Sequence, residues 1–169
     1  MLTTIRKATV NDKTRIMEIY AYARQFMAEH GNPNQWNNNK PSEETIDNDI
    51  AKQEMYVIET DGEVHAVFYF HIGDDSTYQV IDNGHWLSDE PYGTIHRMAS
   101  DGTRRGMLRE CLDYCRNLIP EIRMDTHEKN LSMQKACARQ GFQRCGIIYV
   151  ADGTPRIAYQ LAEAFGEKR

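Results

Sequence analysis

The chain has 169 residues, with 20 lysines and arginines against 25 aspartates and glutamates, so its formal charge at neutral pH is −5. Apolar residues make up 40% and charged residues 27%, which excludes collagen-like, coiled-coil and wholly disordered proteins. A chain of this length can bury a core without disulfides or metals, and no stretch approaches the ~18 apolar residues of a membrane-spanning helix.

The N-terminal third predicts one strand and then two helices. Residues 2–8 suit a short strand, and Thr9 and Asp12 have the spacing of a capping box. A long amphipathic helix is expected to follow and to end at Gly31. Its apolar stripe consists of Ile16, Tyr20, Ala23, Met27 and His30.

A polar loop over residues 31–41 separates this helix from a shorter one. Ser42 is the predicted cap of the second helix, which has Ile46 and Ile50 on one face. The loop also contains Trp36, a large aromatic residue that a plain solvated linker would lack.

Two Asp-Gly pairs predict β-hairpins. Asp61-Gly62 lies between runs of β-branched and aromatic residues at 55–60 and 63–72. Asp152-Gly153 lies between similar runs at 142–150 and 155–161. The sheet is therefore expected to be antiparallel at both ends.

The segment between the hairpins predicts a strand, helix, strand, helix unit. A strand at 93–99 and a turn at 100–102 lead into an apolar-striped helix that Pro120 should stop. Residues 122–126 form the next strand, and Asn130 caps a last helix that ends at Gly141. Such a unit needs parallel strands in the middle of the sheet. We expect one mixed-sheet α/β domain over residues 1–162 and a frayed tail over 163–169.

Several partner classes are disfavoured. The four cysteines and six histidines show no paired metal-ligand spacing, so no metal is expected. An acidic chain without a Lys/Arg run attracts nucleic acid poorly, and no membrane partner is indicated. The N-terminus lacks the apolar core of a secretory signal, so we expect a cytoplasmic protein with reduced cysteines.

The most informative segment is the glycine-containing turn at residues 100–108, between a strand and a helix N-terminus. Free backbone N–H groups and the helix dipole suit an anion, and Arg104 and Arg105 add charge for a phosphate. From spacing alone, glycines that only close a turn and solvated arginines are an equally good interpretation.

Four runs together resemble the GNAT superfamily of acyl-CoA-dependent N-acetyltransferases. They lie at residues 95–99, 103–107, 130–133 and 140–142. The predicted element order is also similar to that fold, so the resemblance covers nearly the whole chain. It implies a mixed, mostly antiparallel sheet of about seven strands with a parallel central pair, flanked by four helices.

The resemblance also implies residues that bind acetyl-CoA. In the family, main-chain amides of the turn bind the pyrophosphate, and the strand before the turn pairs with pantetheine. The positions carried over are Met98, Ala99, Asp101, Gly102, Thr103, Arg104, Arg105, Gly106, Met107, Asn130 and Met133. Two positions depart from the family pattern: Leu108 replaces the second Gly or Ala, and Thr103 replaces Arg or Gln.

Catalytic candidates follow from the same resemblance. His96 corresponds to a histidine that arylalkylamine-acetylating members have on this strand, and it would deprotonate the amine. A histidine whose hydrogen bonds are satisfied within the sheet is an equally good interpretation. Cys137 stands where many members have the tyrosine that protonates the thiolate; a buried cysteine that only packs is the alternative. Water or another tyrosine, such as Tyr149, would then give the proton.

The expected activity is transfer of an acetyl group directly to an amine of a small molecule or peptide. The candidate acceptor contacts are Trp36, His71, Asp125 and His127. A non-catalytic acyl-CoA-binding module is the alternative, because of Leu108 and Cys137. The late strands could leave an edge for a homodimer.

Overall fold

The computed structural model describes residues 2–36 and 40–162. Seven strands and four α-helices lie within these ranges, and the tail predicted at 163–169 lies outside them. In chain order they are β1 (Thr3–Lys7), α1 (Lys13–Glu29), α2 (Glu43–Ala51), β2 (Met55–Thr60), β3 (Glu63–Ile72), β4 (Gly93–Ser100), α3 (Met107–Arg116), β5 (Ile122–Thr126), α4 (Leu131–Arg139), β6 (Gln143–Tyr149) and β7 (Pro155–Leu161).

The strands form one mixed sheet in the order β1-β2-β3-β4-β5-β7-β6. The β1/β2, β2/β3, β5/β7 and β6/β7 pairs are antiparallel, whereas β4 and β5 are parallel through Gly93 with Ile122 and Thr94 with Arg123. Both predicted hairpins and the predicted parallel pair are thus confirmed. The order of helices and strands also matches the sequence prediction.

The described chain divides into two compact units. The first unit comprises residues 2–70 and His96–Tyr114, and the second comprises His71–Ile95 and residues 115–162. Each unit has its own cluster of buried apolar side chains. The single domain expected over residues 1–162 stays a prediction.

In the first unit, a capping box opens a short 3-10 helix over Val10–Asp12, which leads directly into α1. The Thr9 side chain accepts a hydrogen bond at the helix start, and Asp12 accepts one from the Thr9 N–H at 2.8 Å. Arg6 donates to both oxygens of Asp12, at 2.8 and 2.9 Å. The predicted box is confirmed, and the ion pair with β1 fixes the direction in which the helix leaves the strand.

The apolar stripe of α1 is shorter than predicted. Ile16, Tyr20 and Ala23 are buried in the core of the first unit, as expected. His30 is exposed instead: it follows the end of the helix, and its ring stacks on Phe26 with 3.9 Å between centroids. A stacking partner on its own helix thus replaces the predicted contact with the core.

Two further helix predictions have different outcomes. Ser42 caps α2 by accepting from the Thr45 N–H at 3.1 Å, and Ile46 and Ile50 are buried as predicted. The helix expected to reach Pro120 ends at Arg116 instead. Residues 117 and 118 form a turn. Pro120 disfavours helical geometry only at the residue before it, Ile119, so it sets a limit that α3 does not reach.

In the second unit, the core gathers aromatic residues around one arginine. The guanidinium carbon of Arg123 lies 4.1 Å from the Trp86 ring centroid and 3.8 Å from that of Tyr92. The same unit buries Gln160, whose Nε2 donates to Glu121 at 3.0 Å. Its interior therefore contains polar groups with partners, as buried groups require.

We predict that adjacent residues of α1 differ sharply in their contribution to stability. Ile16 is 0% exposed and Met17 is 38% exposed. Ile16→Ala should lower the free energy of unfolding by about 3 kcal/mol, because it leaves a cavity. Met17→Ala is the matched control and should change it by less than about 0.5 kcal/mol. Urea denaturation measures both, and equal losses would contradict the described orientation of α1.

Candidate functional site

The turn between β4 and α3 leaves its backbone uncovered at one of its two glycines. Gly102 and Gly106 both have left-handed φ angles, +78° and +76°. At Gly102 a Cβ atom would collide with the Tyr22 hydroxyl, whereas at Gly106 it would meet nothing within 4 Å. A ligand can therefore approach the backbone closely at Gly106, immediately before the first residue of α3.

The charges at this turn suit an anion. α3 begins at Met107, so its unpaired N–H groups and its dipole face the turn. Arg105 is exposed and Arg104 is half-buried. Leu108, the departure from the family pattern, is buried with Met107. Because its side chain belongs to the buried face of α3, it does not occupy the exposed side of the turn.

Asp101 organises the same turn through four donors. Its Oδ1 accepts from the Thr103 N–H at 3.0 Å and from the Thr103 hydroxyl at 2.6 Å. Its Oδ2 accepts from Arg15 Nη2 at 2.6 Å and from His65 Nδ1 at 2.8 Å. Burial alone would raise the pKa of Asp101, but hydrogen bonds from Thr103 and His65 lower it below its usual value. The carboxyl group is therefore ionised at neutral pH.

A strained residue lies within β4. Arg97 has φ +52°, which is rare for a residue with a side chain and costs about 1–3 kcal/mol. Its carbonyl accepts from the Tyr20 hydroxyl at 2.8 Å. Its Nε and Nη2 contact Asp49 Oδ2 at 2.9 and 2.8 Å, and its guanidinium lies 4.4 Å from the Tyr69 centroid. Contacts from α1, α2 and β3 thus hold this conformation.

The strain at Arg97 brings consecutive side chains together. His96 stacks on Tyr69 with 5.8 Å between ring centroids, so His96 and Arg97 both lie against one ring. In a regular strand, neighbouring side chains point to opposite faces. His96 is half-buried in this arrangement. Burial, together with the Glu54 charge, raises the pKa of Tyr69, which stays a neutral phenol.

In the second unit, the side chains of Asp125 and His127 both accept hydrogen bonds. Asp125 accepts from the Tyr78 hydroxyl at 2.7 Å. His127 Nδ1 accepts from the Lys129 N–H at 3.1 Å, and burial with the Arg156 charge lowers the pKa of His127. The neutral ring must then carry its proton on Nε2, so neither nitrogen has a free lone pair.

Asn130 and Cys137 occupy α4 as predicted from the sequence. Asn130 Oδ1 caps the helix by accepting from the Met133 N–H at 3.1 Å. Cys137 is buried, and burial with the Asp125 charge raises the pKa of its thiol to about 12. A CoA thiolate of ordinary thiol pKa, near 8.5, would take that proton only uphill.

Tyr149 and the predicted acceptor contacts have different surroundings. Tyr149 is exposed and donates to Asp82 at 2.9 Å, which raises the pKa of its hydroxyl. Trp36 is half-buried and packs edge-on against Tyr20 at 5.5 Å. His71, at the end of β3, is half-buried in the second unit.

Neither a metal site nor a membrane-spanning segment is found among the described residues. In this part of the chain no group of three or more His, Cys, Asp or Glu side chains could hold a metal ion. The helices of the described ranges are also too short or too polar to cross a membrane.

Sequence reasoning missed Arg15, Asp49, His65 and Arg97. Arg15 and His65 contact Asp101 from 86 and 36 residues away, and no local pattern records such pairings. The left-handed backbone of Arg97 also has no sequence signal, because the residue is not a glycine. The Asp101-Gly102-Thr103 triplet did carry one, since Asp two residues before Thr is typical of a side-chain-capped turn.

We predict that Asp49 stabilises the first unit through Arg97. Asp49→Ala leaves the guanidinium, which is 26% exposed, without its carboxylate and should lower the free energy of unfolding by about 2 kcal/mol. Asp47→Ala on the same helix removes a half-exposed partner of Lys13 and should cost less than about 0.5 kcal/mol. Chemical denaturation distinguishes the two, and indistinguishable variants would contradict the assigned role of Asp49.

Comparison with solved structures gives the family. An acetyltransferase of the GNAT family from Streptococcus agalactiae is 31% identical, over 98% of this chain and 96% of that chain, with a TM-score of 0.86. GNAT-family acetyltransferases from Listeria monocytogenes and Bacillus cereus are 19% and 21% identical, with TM-scores of 0.68 and 0.61. They cover 94% and 95% of this chain, and 93% and 96% of their own chains, and support the fold alone.

No protein-family model and no curated protein sequence matches the chain. The assignment therefore depends on the solved structures, and on the Streptococcus agalactiae protein in particular, whose similarity extends over almost the entire length of both chains. The seven-stranded sheet with its parallel β4/β5 pair and four helices agrees with the fold that the sequence motifs implied. The chain belongs to the GNAT family of acetyltransferases.

Proposed function

We propose that this protein transfers the acetyl group of acetyl-CoA directly to an amine of a small molecule or peptide. The observation that carries the proposal is the open, glycine-flanked turn that leads into α3 in a chain of the GNAT family. Acetyl-CoA is a substrate here, and its pyrophosphate is the anion that this turn suits.

Binding of acetyl-CoA would rely mainly on backbone groups. N–H groups of residues 104–106 and of the first turn of α3 would bind the pyrophosphate, with Arg104 and Arg105 supplying charge. The N–H groups of Asp101 and Thr103 already donate to the His65 carbonyl and to the Asp101 carboxylate. Replacement of the family's Arg or Gln by Thr103 leaves these amides in place. The main chain of Met98 and Ala99 would pair with pantetheine. Asn130 and Met133, at the start of α4, stay predicted contacts of the same substrate.

His96 is the proposed general base. A protonated amine cannot attack a thioester, so a nearby group must accept its proton. The ring of His96 is half-buried against Tyr69, which restricts its orientation. His127 suits this role less well, because its Nδ1 already accepts from the Lys129 N–H. The bond to Lys129 therefore makes His127 the weaker candidate.

The reaction then needs no covalent enzyme intermediate. The amine nitrogen attacks the thioester carbon, His96 takes the proton, the C–N bond forms and the C–S bond breaks. The leaving CoA thiolate takes its proton from water. We favour water because the Cys137 thiol is buried with a raised pKa and the Tyr149 proton is directed to Asp82.

The identity of the acceptor amine is a separate question. Trp36, His71, Asp125 and His127 stay predicted acceptor contacts, and a cationic amine agrees with the overall charge of −5. The cytoplasmic location and the homodimer are likewise predictions.

Calorimetry with acetyl-CoA tests the proposal first, with ATP as the control for unspecific phosphate binding. Micromolar binding of CoA species alone, followed by acetylation of members of an amine library, supports an enzyme. Binding without acetylation of any amine supports the non-catalytic module instead. No binding at accessible concentrations would overturn both.

We predict that His96→Ala lowers kcat at neutral pH by about 10²–10³-fold, because amine deprotonation loses its base. The dissociation constant of acetyl-CoA should change less than about threefold, since His96 does not bind phosphates. His30→Ala, which replaces an exposed histidine, is the control. A parallel loss of rate and of acetyl-CoA binding would argue against the base assignment.

We predict that neither Cys137 nor Tyr149 is needed for departure of the thiolate. Cys137→Ala and Tyr149→Phe should each keep kcat within about threefold, because water supplies the proton. A general acid would contribute about 10²–10⁴-fold. Steady-state rates with one amine measure this, and a loss of that size in either variant would identify the acid.

A further inference from the structure

An anion-binding turn that contains a carboxylate poses an electrostatic problem. Asp101 is ionised and lies within the turn proposed to bind pyrophosphate, as the pKa lowered by its hydrogen bonds indicates. Like charges at close range repel strongly where solvent is partly excluded. The side chain of Asp101 is only 10% exposed, so water screens its charge poorly.

A second turn with the same sequence indicates which contacts the turn itself requires. Asp152-Gly153-Thr154, in the β6/β7 hairpin, repeats the Asp-Gly-Thr triplet. Its Asp152 Oδ1 accepts from the Thr154 N–H at 2.9 Å and from the Thr154 hydroxyl at 2.6 Å, as in the first turn. Arg156 donates there to the Thr154 hydroxyl at 3.1 Å, and hydrogen bonds from Thr154 together with the Arg156 charge lower the pKa of Asp152. The two hydrogen bonds within the triplet thus recur in both turns, and Arg15 and His65 contact Asp101 in addition to them.

Three hydrogen bonds hold the Arg15 guanidinium in place. Its Nε donates to the Val64 carbonyl at 3.0 Å, its Nη2 to Asp101 at 2.6 Å and its Nη1 to Glu18 at 3.3 Å. The Glu18 side chain is largely exposed, so its charge is better screened than that of Asp101. The guanidinium is thus held against the one carboxylate of the turn.

His65 contacts the same carboxylate from β3. Its ring is buried, and Nδ1 lies 2.8 Å from Asp101 Oδ2 and 3.0 Å from the Thr103 hydroxyl. Nδ1 carries the proton, because a carboxylate can only accept. Its Nε2 is 3.6 Å from the exposed Glu63 carboxylate. The His65 carbonyl also accepts from the Asp101 N–H at 2.9 Å, which fixes the start of the turn to β3.

We infer that Arg15 and His65 are positioning residues for acetyl-CoA: they neutralise and orient Asp101, so that the turn at 101–106 can accept a pyrophosphate. This inference rests on the proposed function. Arg15 supplies the compensating charge, whereas His65 fixes the direction of the carboxylate. Thr103, the departure from the family pattern, belongs to this arrangement through both of its bonds to Asp101.

A charge series at Arg15 tests the inference, with CoA as the probe in calorimetry. Arg15→Gln removes the charge and should raise the dissociation constant of CoA about tenfold, whereas Arg15→Lys keeps the charge and should raise it less than about threefold. Arg15 is 39% exposed, so both variants should fold. Arg6→Gln breaks the ion pair with Asp12 in the same unit and is the matched control, with a dissociation constant expected within twofold.

The inference predicts that the loss in Arg15→Gln shrinks as salt is raised and that kcat at saturating acetyl-CoA stays unchanged. His65→Ala should weaken CoA binding by a smaller factor. Equal losses in Arg15→Gln and Arg15→Lys, or an equal loss in Arg6→Gln, would reduce Arg15 to a structural role and overturn it. If the unaltered protein binds no CoA, the proposed function fails before this comparison is made.

Discussion

The left-handed backbone of Arg97 is the constraint on which the candidate catalytic strand depends. Such a conformation inside a strand persists only where surrounding groups hold it. Here the Tyr20 hydroxyl holds the carbonyl, Asp49 holds the guanidinium and Tyr69 packs beneath it. These contacts come from three different elements. The packing of the first unit therefore determines where the His96 side chain lies.

The pKa values of two aspartates in the first unit are shifted in opposite directions. Asp49 and Asp101 each face an arginine, yet burial raises the pKa of Asp49 whereas hydrogen bonds lower that of Asp101. Among the described residues the Asp49 carboxylate accepts from Arg97, whereas Asp101 accepts four hydrogen bonds from three residues. The number of donated hydrogen bonds, more than the presence of an ion pair, therefore separates the two carboxylates.

The sequence predicts those parts of the fold that local chemistry determines. The Asp61-Gly62 hairpin, the Ser42 cap and the parallel β4/β5 pair all follow from neighbouring residues or from element order. α3 ends at Arg116, three residues before the predicted last helical residue, Ile119, because Pro120 marks only the limit that a helix cannot pass.

The contacts within the candidate site are harder to predict from the sequence. The turn glycines and the helix cap at Asn130 each belong to a short local motif, so the sequence indicates their positions. The partners of Asp101 come from α1 and β3, and the strain at Arg97 depends on residues of three elements. Only the folded chain brings these groups together, so neither periodicity nor motif spacing could have indicated them.

The loss of the family's usual acid is less costly than the loss of a base would be. At pH 7 an aliphatic amine with a pKa near 10.4 needs about 4.6 kcal/mol to lose its proton, whereas a thiolate of pKa near 8.5 gains only about 2 kcal/mol on taking one. Most of the proton-transfer cost therefore falls on the amine. With His96 as the proposed base, a chain that has Cys137 at the family's acid position lacks help only with the smaller of the two steps. For this reason the replacement of the acid is compatible with an active acetyltransferase, provided that the geometry of β4 around Arg97 is preserved.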